Sequence, residues 1–182
     1  MSKLAIFFPG IGYTNSKPLL YYSRMLAKNK GYEEICVEYG ELPTNVKGDV
    51  EKMREALRRA YDQCCEILKG IDFTKYEDVI IIGKSLGTVV ASKYHEEYCK
   101  SARLILYTPV EATFRYVINE GIAFIGDNDT WSDLDKVKSL ADKAGVPLHI
   151  YANCNHSLEV LNDYDLNTTN LKNIMKHTYD YI

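Results

Sequence analysis

The chain lacks several features that would announce a function by themselves. Its 182 residues contain no stretch approaching twenty apolar positions, the length a membrane-spanning helix requires. The apolar run Leu4–Phe8 is stopped by Pro9-Gly10, too early for a secretory core segment. Cysteine is sparse and odd in number: Cys36, Cys64, Cys65, Cys99 and Cys154 show no C-x-x-C spacing. A disulfide framework and a zinc site are therefore not expected, and reduced thiols in the cytoplasm are. The formal net charge is only -3. No basic stripe stands out, since the positive residues at 52–59 are interleaved with acids. Nucleic acid is not an expected partner, because phosphate neutralisation needs clustered positive charge. There is no internal repeat, low-complexity tract or linker. One domain spanning 1–182, with one sizeable core, is the expectation. The sequence carries no signal for oligomeric state.

What is present is a regular alternation of short apolar runs and amphipathic stretches. The runs at 4–8, 35–39, 79–82, 103–107, 122–125 and 148–151 read as six strands. Helices are expected at 18–27, 49–69, 86–98, 133–144 and 169–179. In the second of these, Val50, Met53, Leu57, Tyr61, Cys64 and Leu68 recur at helical spacing and should share one face. Ser132 is placed to cap the fourth, which Gly145 and Pro147 should end. The run Val79–Ile82 has no polar alternation, as expected of a strand covered on both faces. Strands alternating with helices imply an α/β fold: a three-layer α/β/α sandwich around a mostly parallel six-stranded sheet. In such sheets the site lies beyond the carboxyl ends of the strands.

The loops at those ends hold the chemistry. After the third strand comes Gly83-Lys84-Ser85-Leu86-Gly87, a G-x-S-x-G between strand and helix. A nucleophilic serine on this turn needs small residues two before and two after, so that strand and helix can approach closely. The pattern alone is not specific, but its placement is the one its mechanics demand. Serine needs a base. Of His95, His149, His156 and His177, only His156 follows the end of a strand. The base needs a carboxylate to fix its tautomer, and the fifth strand ends in Gly126-Asp127-Asn128-Asp129. Either acid could serve, the other being a turn or cap residue.

Two other patterns fail. Gly83-Lys84-Ser85 resembles the end of a phosphate-binding loop, but the first glycine that motif requires would fall at Asp78. Asp127, Asp129 and His156 could ligate a metal, yet no paired-histidine spacing supports one.

With Ser85, an acid and His156 in that order, the chain resembles the α/β-hydrolase superfamily over nearly its whole length, in a compact form without a large lid. The resemblance implies strand order 2-1-3-4-5-6 and favours Asp129, three residues after Gly126, over Asp127. Phe8-Pro9-Gly10-Ile11-Gly12 stands where such folds carry their oxyanion loop, with Pro9 in place of the usual histidine. It implies that the N–H groups of Leu86 and Ile11 bind the oxyanion, with Gly12 or Tyr13 as alternatives to Ile11. Residues expected to shape the pocket are Gly10, Gly12, Tyr13, Thr108, Pro109 and Trp131, with 109–120 as a small cap. Trp131 could instead staple the following helix, and Glu111 and Arg115 could form a surface pair. The implied activity is hydrolysis of a small-molecule, ester-like substrate through an acyl-enzyme, without cofactor or metal. Peptide cleavage or acyl transfer on the same residues, and a non-catalytic binding module, are the rival readings.

Overall fold

A computed structural model describes residues 2–182. The elements run β1 (Ser2–Phe8), α1 (Pro18–Asn29), β2 (Tyr32–Cys36), α2 (Val50–Ile67), β3 (Tyr76–Lys84), α3 (Leu86–Tyr98), β4 (Arg103–Tyr107), β5 (Gly121–Gly126), α4 (Leu134–Lys143), β6 (Leu148–Tyr151) and α5 (Tyr164–Tyr181). Short 3₁₀ turns lie at Phe73–Lys75 and Glu111–Arg115.

The six strands form one sheet in the order β2-β1-β3-β4-β5-β6, and every neighbouring pair is parallel. Parallel pairing needs a crossover between strands, and helices on both faces supply it. Alternate side chains on each strand then feed two separate cores. Leu4, Ile6 and Phe8 pack with Ala60 and Cys64 of α2 and Tyr94 of α3. Ala5 and Phe7 pack with Leu19 and Leu20 of α1 and Ile174 of α5. This is why β1 and β3 read as unbroken apolar runs: both faces are covered. The register brings the carboxyl ends level, with Phe8 opposite Gly83, Lys84 opposite Tyr107, and Gly126 opposite Tyr151.

Four expectations require correction. Strand β2 lies three residues earlier than the apolar run suggested, at Tyr32–Cys36, where it pairs with β1 at the sheet edge. An edge strand tolerates charge, so Glu33 and Glu34 sit exposed inside it. Val50 does not join the buried face of α2. It is 68% exposed, and Ala56, Ala60 and Cys64 are the buried residues of the helix instead. Helix α4 is capped by Asp133, whose carboxylate accepts the Lys136 N–H at 3.2 Å. Ser132 is not the cap, because Asp133 already satisfies that donor and the Ser132 hydroxyl is buried without a partner. Finally, α5 starts five residues early. Asp163 caps it by accepting the Leu166 N–H at 2.9 Å, a start hidden in the polar stretch around it.

Candidate active site

Ser85 sits at the turn between β3 and α3 with φ 54° and ψ −122°, a backbone region that a non-glycine residue occupies only under strain. Packing enforces it. The Ser85 N–H donates to the Tyr107 carbonyl at 3.0 Å, and the Ser85 carbonyl accepts both the N–H and the hydroxyl of Thr88. Gly87 allows the helix to abut β1: a Cβ there would lie 2.1 Å from the Phe8 carbonyl oxygen.

The loop after β1 folds over this elbow. Gly10 and Tyr13 exchange two backbone hydrogen bonds, at 3.1 and 3.3 Å. The N–H groups of Ile11 and Gly12, at the tip, take no part in that pair. Gly10 is pressed close, since a Cβ on it would lie 3.2 Å from Ser85 Cβ. The Leu86 N–H begins α3 and has no acceptor within the helix.

His156 stands on the loop after β6. Asn155 braces that loop, its side chain accepting the N–H groups of Ser157 and Glu159. The imidazole Nε2 lies 2.7 Å from Ser85 Oγ, and Nδ1 lies 2.6 Å from Asp129 Oδ2. The other Asp129 oxygen accepts the Trp131 N–H at 2.8 Å. A carboxylate oxygen accepts, so Nδ1 carries the proton and Nε2 is left to accept from Ser85. The structure thus brings Asp129, not Asp127, to His156. Asp127 accepts the Asn153 N–H at 2.5 Å and ties the β5 and β6 loops together.

Burial holds His156 below its ordinary pKa. The positive charges of Lys84 and Lys47 push the same way, while the bond to Asp129 opposes them. At neutral pH the ring is then a free base, and its contact with Asp129 is a hydrogen bond between neutral imidazole and acceptor. Trp131 lies against the ring, with centroids 5.4 Å apart and planes 27° apart. It packs on His156.

Lys84 is the unforeseen member of the site. It is 2% exposed, and its ammonium lies 4.8 Å from the centroid of the Tyr13 ring. No carboxylate among the described residues comes within ion-pair distance of it. Desolvation lowers its pKa from 10.5 to about 7, against the attraction of Asp129 and Glu159.

A cavity of about 280 Å³ opens beside Ser85. Ile11, Leu86, Trp131 and His156 border it, with Met53 and Leu57 of α2, Val110, and Ala112 and Arg115 of the 3₁₀ segment. The segment expected as a cap does form one wall. Of the six expected pocket residues, only Trp131 borders this cavity. Tyr13 turns beneath the loop, where its hydroxyl accepts the Leu19 N–H at 3.1 Å. Thr108 is fully buried, its N–H donating to the Phe124 carbonyl at 2.7 Å, and Pro109 is buried beside it. Gly10 and Gly12 line a neighbouring cleft of about 430 Å³, which shares Ile11 with the Ser85 cavity. Glu111 does not pair with Arg115. Its carboxylate accepts the Asp133 N–H at 2.9 Å.

The other histidines stand apart from Ser85. His95 Nδ1 bonds the Val117 carbonyl, and the His149 and His177 rings lie 4.3 Å apart near Phe124. The Cys154 thiol is buried, which raises its pKa, and accepts from Asn170. No group of three potential metal ligands exists among the described residues. No helix among them is long and apolar enough to cross a membrane.

No protein-family profile matches the sequence, and no curated protein matches it. Solved structures do match in shape. One is a protein of the alpha/beta hydrolase superfamily from Xanthomonas campestris pv. campestris, at TM-score 0.70 and 13% identity, covering 100% of this chain and 98% of that one. Another, also from Xanthomonas campestris, is an α/β serine hydrolase without a lid, at TM-score 0.63 and 13% identity, covering 98% and 81%. The esterase Pf2001 of Pyrococcus furiosus matches at TM-score 0.67 and 13% identity, covering 99% and 82%. At such identities the likeness is one of fold.

Proposed function

We propose that this chain, which has the α/β-hydrolase fold, is a serine hydrolase that cleaves a carboxylic ester or thioester through an acyl-enzyme. The observation that carries the reading is the hydrogen-bonded line from Ser85 through His156 to Asp129, on a strained elbow beside a cavity. The esterase among the structural neighbours supports the choice of bond.

In the proposed reaction Ser85 Oγ attacks the substrate carbonyl while His156 Nε2 takes its proton. Asp129 holds Nδ1–H and stabilises the imidazolium. The carbonyl oxygen becomes an oxyanion, which the N–H groups of Leu86 and Ile11 bind. Collapse breaks the bond to the leaving group, which departs with the proton from His156. Water, deprotonated by His156, then attacks the acyl-Ser85 ester and releases the acid. No step requires a metal or cofactor. The free cysteines suit a reducing compartment, which supports a cytoplasmic setting.

The test is labelling with a fluorophosphonate probe, comparing the native chain with Ser85→Ala and His156→Ala. Labelling of the native chain alone is the expected result. Labelling that survives Ser85→Ala would put the nucleophile elsewhere. A folded native chain that never labels would favour a binding module on the same scaffold.

A further inference from the structure

The walls around Ser85 continue past it. The cavity at the serine shares Met53, Leu57, Ala112, Arg115 and Trp131 with a second hollow of about 590 Å³, so the two form one groove. Its inner part is mainly apolar. Its outer part is bordered by Lys47, Arg54 and Arg115, with Asp49 the one carboxylate there.

Most of these charges are already committed. Asp49 caps α2 by accepting the Lys52 N–H at 3.0 Å. Arg54 pairs with Glu51 at 2.7 Å. Glu111, nearer the serine, is held by the Asp133 N–H. Two cations remain. Arg115 has no ion pair or side-chain hydrogen bond with any described residue. Lys47 donates to the Thr130 hydroxyl at 2.7 Å and sits 5.2 Å from the Trp131 ring centroid, with no carboxylate partner. Both border the same hollow as the indole that packs on His156. The chain as a whole is negative, at -3, so a positive groove mouth is a local departure from its average.

Resting on the serine-hydrolase reading, we infer that the substrate carries an oxyanion, a carboxylate or phosphate, at the end remote from its scissile bond, and that Arg115 and Lys47 bind it. An apolar stem between the ester and the anion fills the inner groove. A guanidinium presents paired donors that match such an oxyanion. Its attraction steers the substrate and enters mainly through KM.

The test uses two aryl esters of equal chain length, one ending in a methyl group and one in a carboxylate. A third, phosphate-terminated ester separates the two oxyanions. The readout is the ratio of kcat/KM for each anionic ester to that for the neutral one. The native chain should favour an anionic ester by roughly fivefold to tenfold, the scale of one well-placed charge-assisted pair. Arg115→Gln should bring the ratio toward one, mainly through KM, and Lys47→Gln or added salt should reduce it. Arg24→Gln changes net charge equally, but its site pairs with Glu34 on α1's side of the fold, and it should leave the ratio intact. A native ratio at or below one, or a ratio unmoved by Arg115→Gln, overturns this inference while the hydrolase reading stands. Absence of turnover on every ester, together with absence of probe labelling, overturns the hydrolase reading and this inference with it.

Discussion

Replacing Lys84 with methionine should stabilise the protein while impairing its pH profile. The lysine is almost fully buried without a carboxylate partner, and its pKa falls from 10.5 to about 7. At 1.36 kcal/mol per tenfold change in proton affinity, that fall amounts to roughly 5 kcal/mol. The sign follows from linkage. Between pH 7 and 10.5 the unfolded chain holds this proton and the folded chain does not, so stability rises with pH across that window. Below pH 7 both states are protonated and the folded state bears the full penalty. Methionine keeps most of the stem and carries no proton. Urea unfolding of both proteins at pH 6, 7, 8 and 9 reads the effect. The advantage of Lys84→Met should be greatest at pH 6 and shrink by about 2.5 to 3 kcal/mol by pH 9. A gap between the two proteins that stays constant over that range would refute a desolvated ammonium. Activity supplies the second reading. The charge of Lys84 helps to lower the pKa of His156. Its removal should move the acid limb of kcat/KM to higher pH, with Asp129 and Glu159 left as the acidic neighbours of that space.

Two further substitutions separate neighbouring roles. Asp129→Asn should reduce kcat by roughly 10⁴-fold, because an amide can present a donor to Nδ1 and reverse the tautomer. Asp127→Asn should retain most of the rate but loosen the tie to Asn153, read as a lower unfolding midpoint. Gly87→Ala should abolish probe labelling, or folding itself, because the new methyl group meets the backbone oxygens of Phe8 and Pro9 at 2.1 and 2.5 Å. Retained labelling with an unchanged melting temperature would show that helix and strand are not so closely packed.

Much of the fold was legible because apolar runs and punctuation coincide. Strands β4 and β6 fall at the expected residues, since charge, proline or glycine bounds each run. The site was legible where position carried it. Ser85, Asp129 and His156 each follow a strand's carboxyl end, and the parallel sheet brings those ends level. What the sequence hid depends on contacts between distant segments. Nothing local distinguishes Asp127 from Asp129. Their roles separate only when the β5 and β6 loops meet and one carboxylate reaches Asn153 while the other reaches His156. The burial of Lys84 is equally non-local, because it follows from the Gly10 loop folding over the elbow. Met53 and Leu57 have the spacing of core residues and do pack against the core, yet they also line the groove.

These hidden features share one cause, which is how tightly the backbone closes around Ser85. Gly10 meets the elbow from one side, Gly87 meets β1 from another, and Gly126 lets the β6 loop approach so closely that a Cβ would lie 2.0 Å from the Cys154 carbonyl oxygen. Such approach excludes water from beneath the serine, and that exclusion lowers the pKa values of Lys84 and His156 together. A lysine that pairs with no carboxylate works against folding, so its presence next to the serine points to the site rather than the scaffold. In this fold packing keeps the base unprotonated against the opposing pull of its partner Asp129. On the serine-hydrolase reading, the same packing that strains Ser85 also sets the lower edge of the pH range in which it reacts.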